Sequence, residues 1–249
     1  MRIQIVSATV ILSLCGVPFS AAAQSICMKP WATADKWIDN HDETAPIDAT
    51  WTFDDTFETV DAHGTPLLDA DVYHPSSPSG PGTGFSLAND VGRRVWLKVS
   101  DGDIATQGWF FAVDIGGAGN GAEAYRTAIT TCDPAASGFP AIGDELRVLK
   151  GNMRGPTIQG ALDLIAQDPV AQWDDGLQDI VNSCALSLTP CAPVSPRIFT
   201  VAAFNPAVFE QSRLGSGTPR LIVSNVVGVF LEAYVAGYVV GVIVPIPQH

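Results

Sequence analysis

Residues 221–245 form a long apolar stretch that constrains the fold more than any other part of the sequence. Its length would be enough to cross a bilayer, which takes about 20 apolar residues. Valine is frequent in it, however, Glu232 lies near its middle, and Ala236-Gly237 interrupts it. An ionised glutamate at the centre of a bilayer is unfavourable by about 3 kcal/mol, whereas valines around a central glycine favour two strands joined by a turn. We therefore expect a β-hairpin here and no stable membrane span in the mature chain.

The N-terminus has the pattern of an export signal. Arg2 gives a positive start, residues 3–19 are uncharged and mostly apolar, and Ala21-Ala22-Ala23 gives a small-residue cleavage pattern. The apolar part is short for a membrane span and contains Pro18. We expect residues 1–23 to be a cleaved signal peptide, with an uncleaved anchor as the alternative. The protein is then exported to the periplasm, the cell surface or the medium.

Four cysteines remain after such cleavage, namely Cys27, Cys132, Cys184 and Cys191. An even number of cysteines in an exported chain predicts two disulfides. Three pairings are possible. The short loop between Cys184 and Cys191 favours that pair, which leaves Cys27 to pair with Cys132. No two of these cysteines have C-x-x-C spacing, so a zinc site is not expected.

The charge balance restricts the partners. The chain has 26 Asp and Glu against 13 Lys and Arg, a formal net charge of −13. A surface this acidic repels phosphate, so neither nucleic acid nor anionic lipid is an expected partner. Only 16% of the residues are charged and 47% are hydrophobic, which favours a well-buried core over disorder.

The mature chain divides into three regions. Residues 24–75 are acidic and irregular, and we expect them to pack on the core. Residues 76–84 form a connector rich in Ser, Pro and Gly. Residues 85–249 are expected to be the β-rich core domain.

Alternation of apolar residues predicts several strands in that core. Val95, Leu97 and Val99 alternate with Trp96 and Lys98, the period of a half-buried strand. Further strands are predicted at 109–115, 141–149 and 197–204. The expected fold class is α+β, mainly β, with an antiparallel or mixed sheet core, one or two short helices, and disulfide bonds.

Two segments have helical periodicity. In residues 122–130, Tyr125 and Ile129 are four apart on one face. The clearer helix begins at Gly155-Pro156-Thr157, where the missing N–H of proline is tolerated in the first turn. Its predicted apolar stripe consists of Ile158, Ala161, Leu162 and Ile165. Asp168-Pro169 ends this helix and can open a second turn that runs to Trp173.

Two short motifs come close to catalytic patterns without matching them. Gly84-Phe85-Ser86-Leu87-Ala88 lacks the last glycine of the G-x-S-x-G nucleophile elbow, so a turn serine is predicted. The glycine-rich segment 116–121 is not a true phosphate-binding G-x-G-x-x-G loop, so a turn is predicted there as well.

Acidic and histidine residues give weak metal candidates. Calcium takes about six to eight oxygens, which could come from Asp54-Asp55, Asp69-Ala70-Asp71 or Asp101-Gly102-Asp103, but none of these forms an EF-hand loop. The spacing of His41, His63 and His74 matches no zinc pattern. We expect solvated acidic loops and no cofactor, with calcium as the alternative.

Residues 151–160 read G-N-M-R-G-P-T-I-Q-G, and residues 164–169 read L-I-A-Q-D-P. This combination resembles the G-N-M-x-G-P-T-x-Q-G…L-I-x-x-D-P signature of TadE/TadG-like Flp pilus-assembly proteins. The matching motif residues are Gly151, Asn152, Gly155, Pro156, Thr157, Gly160, Asp168 and Pro169. Shorter segments are similar to the family in the same order: Cys27 to Trp31, Tyr125-Arg126 with Ile129 and Cys132, Ser195 to Ile198, and Phe230 to Glu232.

The resemblance implies an envelope protein of tight-adherence pili, anchored or exported and without known catalysis, whose partners are envelope or pilus proteins. Family members usually begin with a membrane-anchoring, pilin-like helix, whereas this chain begins with what reads as a cleavable signal peptide. That difference favours a free exported relative. Gly155-Pro156-Thr157 is interpreted as scaffold, because glycine allows close approach and proline sets the helix entry.

The leading functional hypothesis is a non-enzymatic structural or assembly component of a bacterial surface or pilus apparatus. Two alternatives use the acidic residues of segment 35–71. One is a secreted hydrolase, and the other is an adhesin stabilised by calcium.

Overall fold

The computed structural model describes residues 27–40, 57–61, 63–77, 80, 82–99, 110–116, 121–131, 140–149, 153–184, 195–214, 220–235 and 237–246. Within these residues the fold is mainly β, with nine strands and three short helices. The strands are β1 Met28–Ala34, β2 Arg94–Val99, β3 Phe110–Asp114, β4 Glu145–Val148, β5 Gln172–Asp174, β6 Asp179–Val181, β7 Ile198–Phe204, β8 Leu221–Val235 and β9 Tyr238–Ile243. The helices are α1 Ala122–Thr130, α2 Arg154–Gln167 and α3 Pro206–Leu214.

Seven strands form one mixed sheet that closes on itself. The strand order is β2-β9-β8-β4-β3-β1-β7, and β7 also pairs with β8. Strands β8, β4, β3, β1 and β7 therefore form a ring, while β9 and β2 extend from the C-terminal half of β8. The β1–β7 pair is parallel, and the other pairs in this sheet are antiparallel. Strands β5 and β6 form a separate two-stranded hairpin.

Strands β8 and β9 form the hairpin that the valine-rich stretch predicts, and this prediction is confirmed. They pair antiparallel from Val235–Tyr238 to Val229–Ile243. Gly237 in the turn has a φ of 101°, a conformation that suits glycine. Separately, none of the described helices is long and apolar enough to cross a membrane.

Strand β1 is a central element that the sequence analysis missed. It lies within the acidic segment 24–75, yet all seven of its residues are buried. It pairs with β3 on one side and with β7 on the other. Both of its faces are covered, so it lacks the polar–apolar alternation of a half-exposed strand.

The core has two main parts on opposite faces of the sheet. One part lies under α1 and α2 and contains Trp31, Tyr125, Ile129, Leu164, Phe199, Val229 and Leu231. The other lies under α3 and the N-terminal loops. Its centre is an aromatic cluster in which the ring centroids of Phe111, Phe204 and Phe209 lie 5.4–5.7 Å apart.

Helix α1 is formed as predicted, with Tyr125 and Ile129 buried. Helix α2 is present, and its predicted buried face is wrong in part: Ala161 is buried and Ile165 packs against the core, as predicted. Leu162 is about half exposed, and the buried residues of the helix are Thr157, Gly160, Ala161 and Leu164. The physical reason is the approach of α1, because a Cβ at Gly160 would lie 2.9–3.0 Å from side-chain atoms of Ile129.

Two further elements differ from the expectations. The predicted turn running to Trp173 instead leads into the hairpin β5–β6, and Trp173 pairs with Ile180. Helix α3 was not predicted, and it raises the number of described helices to three, above the expected one or two. The α+β, mainly β class with a mixed sheet is confirmed at this level.

Helix α2 offers a matched pair of glycine substitutions. We expect Gly160→Ala to destabilise the protein by about 1–2 kcal/mol, because overpacking against Ile129 outweighs the gain in helix propensity. Gly155 lies in the same helix, and a Cβ added there would have no heavy atom within 4 Å apart from its chain neighbours. We expect Gly155→Ala to change stability by less than about 0.5 kcal/mol, because the gain in helix propensity is offset by the clash of a Cβ with the ring of Pro156. Urea unfolding of both variants checks this, and equal effects would contradict the packing argument.

Candidate functional site

The structure describes two of the four predicted disulfide cysteines. Cys27 is half-buried before β1, and its carbonyl accepts a hydrogen bond from Thr200 N at 2.7 Å. Cys184 follows β6, and its N–H donates to Asp168 Oδ1 at 2.9 Å. Cys132 and Cys191 lie outside the described residues, so the pairing stays a prediction.

Three of the segments that carry the family resemblance each contribute one residue to a buried hydrogen-bond chain. Trp31 Nε1 donates to Tyr125 Oη at 2.8 Å, and Tyr125 Oη lies 3.0 Å from Thr157 Oγ1. Thr157 is fully buried. The chain joins β1, α1 and α2, so Thr157 fixes how the two helices sit on the sheet.

The other motif residues lie around α2. Gly155 and Pro156 are in its first turn, Gly160 contacts Ile129, and Asp168-Pro169 follows its end. Gly151 and Asn152 lie outside the described residues.

Arg197 lies at a second place where segments with the family resemblance meet. Its guanidinium is buried and lies over the ring of Phe230, 4.6 Å from the centroid. It donates to four backbone carbonyls at 2.7–2.9 Å, those of Leu231, Glu232, Asp168 and Ala171. Arg197 thereby ties the end of α2 to β8.

A polar cluster at the end of β1 was not predicted from the sequence. Its centre is Asp35, which is 2% exposed. Asp35 Oδ1 accepts a hydrogen bond from Phe85 N at 2.8 Å, and Oδ2 accepts bonds from Tyr73 Oη at 2.9 Å and Ser224 Oγ at 3.2 Å. Gly84 packs so closely on this carboxylate that a Cβ would collide with it.

The protonation of Asp35 depends on its burial. Loss of hydration raises the pKa of this carboxyl above its ordinary value, although hydrogen bonds from Phe85 N, Tyr73 and Asn225 act in the opposite direction. Burial and the nearby Asp35 also raise the pKa of Tyr73. Both groups therefore favour their neutral forms more than they would in water.

A second buried carboxylate lies beside the first. The side chain of Asp90 is 0% exposed and bonds Lys36 Nζ at 2.6 Å and Arg93 Nε at 3.1 Å. Its Oδ2 accepts Ser86 N at 2.8 Å and lies 3.5 Å from Ser86 Oγ. Asp35 and Asp90 thus hold the successive N–H groups of Phe85 and Ser86. Ser86 opens a turn, as predicted, and its polar atoms stabilise that turn.

The remaining metal candidates are not gathered into a site within the described residues. No group of three or more His, Cys, Asp or Glu side chains that could hold a metal occurs there. Asp71 is buried, and its two carboxylate oxygens accept Asn40 N and Glu58 N, each at 2.9 Å. His63 and His74 are exposed. Three candidates, Asp54-Asp55, His41 and residues 101–103, lie outside the described part of the chain, as do residues 117–120 of the glycine-rich segment.

One rule describes all the buried charged side chains in the described residues. Each of them bonds at least one backbone N–H or C=O group, which is four residues away for Asp90 and at least 13 residues away for the others. They are Lys29, Asp35, Asp71, Asp90, Asp168, Arg197 and Glu210. Buried charge therefore holds loops and element ends in place within the fold.

The chain matches no family model, no curated protein and no solved structure.

Asp35→Asn tests the buried cluster through its pH dependence. Because the folded-state pKa of Asp35 is raised, its stabilising contribution is present below the ordinary value and is lost as pH rises through the folded-state pKa. We expect the free energy of unfolding of Asp35→Asn, relative to the wild type, to increase as pH rises from about 4 to 7. Urea unfolding at a series of pH values measures this difference.

Asp61→Asn is the control with the opposite sign. The backbone N–H groups of Thr65 and His63 lower the pKa of the solvent-facing Asp61. Its contribution is therefore present above the ordinary value and is lost as pH falls through the folded-state pKa. If the stability of both variants, relative to the wild type, changed with pH in the same direction, the opposite pKa shifts of Asp35 and Asp61 would be refuted.

Proposed function

We propose that this chain is an exported, non-enzymatic structural or assembly component of a bacterial surface apparatus of the tight-adherence, Flp-pilus type. The resemblance to TadE/TadG-like proteins suggests the apparatus. The structural role is supported by the buried charged side chains. All seven of them in the described residues bond backbone groups.

The same observation weighs against the two alternatives that use the acidic segment 35–71. A general acid or base must reach a substrate, and a calcium ligand must turn free oxygens toward the ion. Asp35 and Asp71, the buried acids among the described residues of this segment, direct both oxygens at donors within the protein. Asp61 accepts N–H bonds from its own turn. Geometry of this kind favours a scaffold over a hydrolase or a calcium-dependent adhesin.

Two disulfides are part of the proposal, paired Cys27–Cys132 and Cys184–Cys191. Cys27 and Cys184, one cysteine of each proposed pair, are the two that the structure describes. Support for the first pair comes from the neighbourhood of Cys27. Lys29, two residues along β1, donates from Nζ to Thr131 O at 2.8 Å, and Thr131 directly precedes Cys132.

Peptide mapping of the exported protein without reduction checks this pairing. We expect one disulfide-linked peptide pair that contains Cys27 and Cys132, and a second linkage between Cys184 and Cys191. Replacing Cys27 and Cys132 together by Ser should destabilise the protein by about 2–5 kcal/mol, as loss of a native disulfide usually does. Any other linkage, or four free thiols, would contradict the proposed pairing.

Deletion of the gene in its own bacterium tests the functional proposal. We expect fewer surface pili by electron microscopy and weaker adherence to a surface, both restored by the wild-type gene. We also expect cross-linking in intact cells to join the protein to a component of the pilus apparatus. Unchanged pilus number and adherence after deletion would overturn the proposal.

A complementing variant separates the structural role from the two alternatives. Asp54, Asp55 and His74 are replaced together by Ala, which removes candidate catalytic or calcium-binding groups of the acidic region. A structural component should still restore pili in this form. Failure by a variant that is exported and folded would favour chemistry in the acidic region.

A further inference from the structure

Lys29 is a buried cation whose protonation has no part in the proposed function. It lies in β1, and 2% of its surface is exposed. Its Nζ donates to Thr131 O at 2.8 Å and lies 6.0 Å from the centroid of the Phe199 ring. Within the described residues it forms no ion pair. A buried ammonium without a countercharge is unfavourable, because burial removes its hydration.

The acceptor of Lys29 lies at the end of α1. Thr131 is the C-cap of this helix, where carbonyl groups lack a partner within the helix and carry partial negative charge. The preceding carbonyl, that of Thr130, accepts a bond from Gln167 Nε2 at 2.9 Å. The end of α1 is thus held by β1 through Lys29 and by α2 through Gln167.

Within the described residues, the elements packed against β1 do not supply the missing charge, and the charged residues of β2, Arg94 and Lys98, are themselves cations. Strand β7 contains no ionisable side chain. The ionisable groups of the neighbouring elements are otherwise engaged or exposed. On α1, Glu123 is exposed, Tyr125 bonds Trp31 and Thr157, and Arg126 pairs with Asp163 of α2. On β3, Asp114 pairs with Arg147 of β4.

We propose that Lys29 makes the attachment of the α1–α2 helical layer to the sheet pH-dependent, so that the layer is held more tightly as the amine loses its proton. The neutral amine can still donate to Thr131 O, but it needs much less hydration. Opening of the layer exposes Lys29 to water and allows it to regain a proton. Protonation therefore favours the open arrangement, and deprotonation favours the closed one.

The sign and the pH window follow from the two protonation states. Burial lowers the pKa of Lys29 to about 7 in the closed layer, against an ordinary value of 10.5. Between these values opening takes up a proton, so the opening equilibrium constant falls about tenfold for each unit of rising pH. Below about pH 7 both states are protonated, and the dependence ends.

Hydrogen exchange of the exported, disulfide-intact protein tests the proposal. Protection of peptides from α1 and α2 is measured at about pH 6, 7, 8 and 9, with correction for the intrinsic exchange rate. In the wild type we expect protection to rise by up to about tenfold per unit above pH 7. Lys29→Met keeps the apolar stem without the charge and should abolish the rise. Arg213→Met removes an exposed cation on α3 and should leave it unchanged.

A titration of the wild type provides a test that does not depend on any variant folding. The NMR signal of the Lys29 side chain, followed against pH, should have a midpoint near 7. A midpoint near 10.5, or protection that is equally pH-dependent in Lys29→Met, would overturn the proposal.

Discussion

Burial of β1 between β3 and β7 is the constraint on which the rest of the structure depends. Its two faces serve the two main parts of the core, with Trp31 facing the helical layer and Met28 and Ala32 facing the opposite side. A strand covered on both faces leaves its polar side chains no route to water. Lys29, and Asp35 directly after the strand, must therefore find partners inside the protein, and each finds a backbone group of a distant segment.

This arrangement explains how a fold with long irregular connections satisfies its backbone. N–H groups outside strands and helices need acceptors when they are buried. Here carboxylates provide them: Asp35 for Phe85, Asp90 for Ser86, and Glu210 for Thr59. Part of the acidic excess thus acts inside the protein as hydrogen-bond acceptors. Such carboxylates lose hydration, but each gives a loop N–H an acceptor whose absence would cost about 1–3 kcal/mol.

Local patterns predicted the local elements. The valines of β8 and β9, the alternation in β2 and the pair Tyr125 and Ile129 in α1 all have a period that sequence alone reveals. Periodicity did not reveal β1, because this strand is buried on both faces. It also misplaced the buried face of α2, where Gly160 and Thr157 face the core. The Asp35 cluster could not be predicted either. Its donors Phe85 and Ser224 are 50 and 189 residues away in the chain, and only the fold brings them together.

The segments that suggest a family resemblance meet in two buried places. Trp31, Tyr125 and Thr157 form one hydrogen-bond chain, and Arg197 joins Phe230 to the end of α2. These side chains bond one another or the backbone, so folding alone is sufficient reason for their residue types. A motif of this kind characterises a scaffold, whereas partner choice is made by groups that meet solvent. The contact surface of the proposed assembly component is therefore to be sought among the exposed residues outside these motifs.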